Sequence, residues 1–98
     1  MEKLKVKVIF RKVKNPYTNE DDVIAFFPEF SANYGNIVSY MHFGQHGESS
    51  LEFYYDTKKA LESEYKPLLN ELNIIYNDCI LEVKQKLYYN DLVHMAWK

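Results

Sequence analysis

From Leu4 to Phe10 every second residue is apolar: Leu4, Val6, Val8 and Phe10 share one side of an extended chain, and Lys3, Lys5, Lys7 and Arg11 fall largely on the other. A period of two is that of a half-buried strand, predicted here over residues 3–14. Asn15 to Asp22 then gathers turn formers, because Asn-Pro favours turn initiation and Asn and Asp side chains bond nearby backbone, so a hairpin loop is expected. Val23 to Phe27 reads as a second, more apolar strand over 23–28. Pro28 should end it or hold it at a sheet edge, since proline offers no ladder N–H. After a turn at Ser31 to Asn36, the β-branched and aromatic residues of Ile37 to Phe43 predict a third strand over 37–43.

Gly44 to Ser50 does not continue that strand, and Leu51 to Tyr55 reads as an irregular segment that packs its aromatics on the core, with a short strand as the alternative. The pattern then changes period. Tyr65, Leu68, Leu69, Leu72, Ile75 and Tyr76 form one helical stripe, with Glu64, Lys66, Asn70, Glu71 and Asn73 on the opposite side, predicting an amphipathic helix over 62–76. Pro67 falls near its start, where proline costs least, and Glu62 and Glu64 lie near the positive end of the helix dipole. Cys79, Leu81, Val83 and Leu87 alternate with Glu82, Lys84 and Lys86, a last strand over 79–87. Residues 88–98 extend that strand or form a short helix. The order β-β-β-α-β implies a single α+β domain over 1–98: two layers, a mostly antiparallel sheet with one amphipathic helix on one face. One helix cannot cover four strands, so the other face must be polar, or be closed by the tail or by a second copy.

Composition adjusts this picture modestly. The 98 residues are 47% hydrophobic and 27% charged, the range of an ordinary globular chain. Nine tyrosines are an excess, suiting a small domain with many half-buried side chains or a contact surface. A net charge of −2 disfavours a general polyanion binder. The lone Cys79 excludes an intramolecular disulfide and fits a reducing, cytoplasmic setting. The charged start lacks a signal-peptide core, and no stretch is apolar enough to span a membrane.

Chemistry-bearing residues gather at Ser39-Tyr40-Met41-His42-Phe43-Gly44-Gln45-His46-Gly47. His42 and His46 have the spacing that pairs two metal ligands on a helix, with Glu48, Glu29 or His94 as third-ligand candidates for a metal-dependent enzyme. On an extended strand that spacing separates the Cα atoms by about 13 Å, so no metal or cofactor is assigned. Ser39 and Ser49 lack a nucleophile elbow, Cys79 falls on an inward strand position, and no glycine-rich loop opens a helix. No catalytic residue is assigned either. Tyr40, His42, Gly44, Gln45, His46 and Gly47 are instead read as a contact turn, flanked by Phe43, Tyr54 and Tyr55. If the first and last strands are neighbours, Lys3, Lys5, Lys7, Lys84 and Lys86 make a basic face that could meet nucleic acid, although lysines on an outer strand also serve to block aggregation.

Three blocks, Val23 to Glu29, Ser39 to Gly47 and Glu64 to Leu72, resemble a group of small bacterial proteins found among gut anaerobes and on mobile elements, over roughly residues 5–86. The resemblance implies a small α+β fold and a bacterial cytoplasmic home, and no activity. This chain departs from that pattern at Leu61-Glu62-Ser63-Glu64, where a Thr-Pro-Glu-Glu type of helix start is usual. The expectation from residues and resemblance together is a small non-enzymatic domain that self-associates as a homodimer or binds a protein partner.

Overall fold

The computed structural model describes residues 4–31, 37–41 and 45–85. The elements are β1 (Leu4–Lys14), β2 (Asp21–Ser31), β3 (Ile37–Met41), β4 (Gln45–Ser49), α1 (Leu51–Asp56), β5 (Lys58–Lys59), α2 (Glu62–Ile75) and β6 (Cys79–Lys84). Strands run in the order β4-β3-β2-β1-β5, all antiparallel, and β6 pairs with β1 in parallel. Ile9 pairs with both Phe26 and Lys84, and Arg11 with both Ile24 and Lys59. β6 and β5 therefore share the edge of β1 that faces away from β2, one along each half of the strand. The expected α+β class, mostly antiparallel with one main amphipathic helix, is what the chain adopts.

The β1–β2 hairpin closes through local bonds that its sequence supplies. Asn15 Oδ1 accepts the Tyr17 N–H at 2.8 Å, its amide donates to Asp22 at 2.9 Å, and Asn19 takes the left-handed conformation at φ 62°. Pro28 does not end β2. The strand runs on to Ser31, and the proline, fully buried, sits where the β2–β3 register jumps from Phe27↔Val38 to Ser31↔Ile37. A residue without an N–H is tolerated in a central strand at such an irregularity. Carrying the β1–β2 register two residues past Ile9↔Phe26 would set Lys7 opposite Pro28, and there the Lys7 N–H donates at 3.0 Å to the Glu29 carboxylate instead.

The two faces of the sheet are both apolar and each has its own cover. On the first, Val6, Val8, Phe10, Ala25, Phe27 and Tyr40 meet Tyr65, Leu68 and Leu72 of α2. Phe10 stacks on Tyr65 at 4.5 Å between ring centroids, and Phe27 meets Tyr76 edge-on at 5.9 Å. On the second, Ile9, Ile24, Phe26 and Ile37 pack with Tyr54 of α1, whose ring stands edge-on to Phe26 at 5.2 Å. The irregular segment expected at 51–56 is thus a helical turn and a half. Ser50 caps it by accepting the Phe53 N–H at 3.1 Å, and two of its three aromatics, Phe53 and Tyr54, pack on the core while Tyr55 is exposed. This helix, too short to show a period in sequence, closes part of the face expected to be open.

Arg11 fixes that helix to the sheet. Its Nε donates to Thr57 Oγ1 at 3.0 Å, its Nη2 to the Thr57 carbonyl, and its guanidinium lies 5.0 Å from the Tyr54 ring centroid. The buried Thr57 hydroxyl in turn donates to the Tyr54 carbonyl, tying off the last turn of α1.

α2 starts at Glu62 and ends at Ile75, close to the expected span, and Pro67 lies inside it, exposed. Leu61 at the N-cap has no side-chain acceptor, but the Glu64 carboxylate takes the Leu61 N–H at 2.9 Å and holds Lys12 of β1 at 2.9 Å. The Leu61 N–H first, and Lys12 second, hold the Glu64 carboxyl below its ordinary pKa, while the hydrogen bond to Glu64 raises Lys12 above its own, with burial opposing both. The stability from Glu64 is therefore present above the ordinary carboxylate pKa and lost as pH falls through the lowered one. That from Lys12 is present below the ordinary lysine value and lost as pH rises through the raised one.

Three outcomes follow from this packing. Leu72→Ala, at a fully buried site, is expected to cost about 2–5 kcal/mol in chemical denaturation. Arg11→Met should cost about 2 kcal/mol and speed hydrogen exchange within α1 more than within α2. A series of melting temperatures against pH should show Glu64→Gln losing stability relative to wild type at neutral pH, with the gap closing as the solution is acidified. The pair is partly exposed, at 23% and 28% of the side-chain surface, so added salt should shrink that gap.

Candidate functional site

Three groups of surface residues could carry function: the outer strand β4, the lysine-bearing face of β1 and β6, and two concavities. The strand comes first because the expected contact turn falls on it. Gln45, His46 and Gly47 are not a turn. They form β4 with Glu48 and Ser49, pairing with β3 as Met41↔Gln45, Tyr40↔His46, Ser39↔Gly47, Val38↔Glu48 and Ile37↔Ser49. A Gly-framed sequence reads as a turn, yet β4 begins at Gln45, and residues 45–49 pair back along β3. His42, Phe43 and Gly44 lie outside the described residues.

Tyr40, read as part of the contact turn, belongs to the core: it is 1% exposed and its hydroxyl donates to Glu71 of α2. Tyr54 is likewise buried, whereas its neighbour Tyr55 is 68% exposed. Gly47 is exposed, and a Cβ built on it would meet only Ser39 Oγ, at 3.9 Å. Its backbone lies outside the left-handed region. Neither torsion nor space within the fold calls for glycine there.

Among the described residues, no strand pairs with the outer edge of β4. The opposite side of the sheet differs. β5 is two residues long and both are lysines, and β6 carries Glu82 and Lys84. Short length and charge are the means by which edges resist pairing with other chains. β4 has five residues, no lysine and no proline, and Glu48 is its one carboxylate.

β1 and β6 are neighbours, as the basic-face reading required. The register Lys5↔Ile80, Lys7↔Glu82 and Ile9↔Lys84 sets Lys5, Lys7 and Lys84 on one face, that of Ile9 and not of α2. It also sets a carboxylate opposite Lys7 and a 45% exposed isoleucine opposite Lys5. Lys3 and Lys86 lie outside the described residues. The stripe is mixed where a phosphate-tracking surface would be of one sign.

The first concavity, about 130 Å³, opens beyond the C-terminal end of α2 among Val6, Phe27, Val38, Tyr76, Cys79 and Leu81. Burial foremost, and Cys79 beside it, push the Tyr76 hydroxyl above its ordinary pKa, and the Cys79 thiol donates to Asp78 at 3.6 Å. Among the described residues, no carboxylate and no imidazole lines it. The second, about 470 Å³, is a mixed-charge groove of Lys12, Lys14 and Lys58 with Asp21 and Asp56. Lys12 there is already held by Glu64, with Asp21 at 3.9 Å.

No group of three or more His, Cys, Asp or Glu able to hold a metal occurs among the described residues, and His42 and His94 of the metal reading lie outside them. Sequence reasoning missed Arg11 and Thr57, whose pairing across 46 positions leaves no local signal, and it missed the edge character of β4. Alternation was visible only weakly in Gln45-His46-Gly47-Glu48-Ser49, because no β-branched residue marks it. In comparisons with protein-family models, curated proteins and solved structures, nothing matches the chain.

Because the space beside Gly47 is open, Gly47→Ala should leave the fold intact and raise its stability by about 0.5–1 kcal/mol in urea unfolding, glycine being the poorer strand residue. A loss of more than that would mean that the fold does depend on this glycine.

Proposed function

We propose that this chain is a small, non-enzymatic protein-binding domain that accepts an added β-strand along the outer edge of β4. The observation that carries this reading is the contrast between the two sides of one sheet: lysines and short length on β5, a carboxylate and a lysine on β6, and on β4 no lysine, no proline and the single carboxylate of Glu48. Strand addition draws its affinity from main-chain hydrogen bonds and its selectivity from alternate side chains, so it requires no deep pocket and no reactive group. Exposed Tyr55, on the helix that follows β4 directly, is available to widen such a contact. A cytoplasmic setting belongs to the same reading, on the ground of the single cysteine. No helix among the described residues is long and apolar enough to cross a membrane.

Hydrogen exchange tests the reading. The amides of residues 45–49 should gain protection as protein concentration rises from micromolar to millimolar, or on titration with extended peptides of β-branched sequence. Gly47→Lys, which installs the lysine that β4 lacks, should abolish that gain without lowering the melting temperature. Amides of 45–49 that stay unprotected under both conditions would overturn it.

Nucleic-acid binding is a second reading, favoured by one observation, the common face of Lys5, Lys7 and Lys84. It requires a salt-dependent mobility shift that Lys5→Glu with Lys84→Glu removes. Absence of a shift in low salt would eliminate it.

A further inference from the structure

We infer that the apolar hollow beyond the C-terminal end of α2 is a binding site for a free, uncharged, single-ring aromatic molecule of the size of benzene or phenol. The site lies on the α2 face of the sheet and is independent of the docking edge proposed on β4.

The hollow exists because the sheet outruns the helix that covers it. α2, with 14 residues, is about 21 Å long, whereas β1, with 11, spans about 36 Å. The two are matched at the far end, where Glu64 holds Lys12 and Tyr65 stacks on Phe10. Leu72 is therefore the last fully buried residue of the helix, and the sheet beyond it is left without helical cover. Two registered pairs floor that gap, Val6↔Leu81 and Phe27↔Val38. Tyr76, the C-cap of α2, walls it. Its N–H donates to the Leu72 carbonyl at 2.8 Å and its own carbonyl accepts the Cys79 N–H at 3.0 Å, so the ring and the thiol ride on a hydrogen-bonded turn.

Size and lining decide the occupant. A space of about 130 Å³ walled by hydrocarbon offers water few partners, and its lining lacks the contacts that close packing supplies elsewhere in the core. Apolar cavities of about 150 Å³ take up benzene, so one ring fills a space of this class. A ring suits it better than an alkyl chain. Phe27 and Tyr76 stand 5.9 Å apart with their planes 65° from parallel, an arrangement that offers ring edges and faces to a third ring, and the Cys79 sulfur adds a polarizable contact. Among the described residues no charged side chain lines the space, so an ionised ligand would lose its hydration without compensation. A free molecule is favoured over a peptide for a related reason: main-chain amides carried to so apolar a mouth would find few partners. Leu4, 65% exposed at that mouth, leaves the way in open to solvent.

Cys79 supplies the test, because it is the one cysteine of the chain and lines the hollow, so its reaction with a thiol reagent reads occupancy at a single site. Phenol is the probe, with a dissociation constant expected at about 1 mM for so few atoms; at about ten times that concentration it should slow the Cys79 reaction in the full chain about tenfold. A small free thiol in the same solution should react at its usual rate, and benzoate should give no protection. Val38→Phe, which places a ring of the protein's own in the hollow, should abolish protection by phenol while the melting curve shows a folded chain. Leu81→Phe repeats the test from a different strand if Val38→Phe does not fold. Protection that survives both fillings, or that benzoate gives equally, would overturn the hollow as the site. No protection at about 10 mM phenol would overturn the single ring as its ligand. Neither result bears on β4.

Discussion

Everything in this fold hangs on β1 being buried from both sides and paired along both edges. Val8, Ile9 and Phe10, three residues in a row, are at most 3% exposed, because α2 covers Val8 and Phe10 while Tyr54 of α1 packs over Ile9. β2 lies along one edge, and β6 and β5 divide the other. A strand in that position cannot slip by one residue without exchanging its two faces, each of which has a cover of different shape. The register of β1 thereby fixes where α2, α1 and β6 can sit. It also leaves β4, three strands away at the far side of the sheet, as the element least constrained by the core.

The chain's chemistry follows from that arrangement. Polar groups near the centre serve cohesion: Arg11 ties α1 down through Thr57, Glu64 holds both Leu61 and Lys12, and the Tyr40 hydroxyl bonds Glu71. Exposed among the described residues are a mixed-charge face, an apolar hollow lined by no carboxylate or imidazole, and the outer edge of β4. That edge presents directional groups in a repeating pattern, which is why strand addition is the function proposed.

The elements with strong period were legible in sequence. β1, α2 and β6 announce themselves by alternation or by a helical stripe, and their observed ends lie within a few residues of those expected. α1 was hidden because six residues cannot display a helical period, and its one signal is Ser50, a capping residue, ahead of Leu51-Glu52-Phe53. Pro28 misled because its cost depends on pairing: a register irregularity in β2 absorbs the missing N–H, and nothing local announces it. The site was half legible. Residues 45–47 stood out through glycine and histidine, but their part in an edge strand depends on pairing with β3. Tyr40 and Tyr54 looked like contact residues, yet they are core, because the sheet is covered on both faces.

The central claim is that contacts between molecules run through β4. Isotope-filtered NMR on labelled protein mixed with unlabelled protein or unlabelled extended peptide reads this directly, since it records only proximities between molecules. Contacts across residues 45–49, either between copies or with an added extended peptide, are the expected result. Contacts confined to the lysine face or to the apolar hollow, or none at 45–49 with either partner, would contradict it.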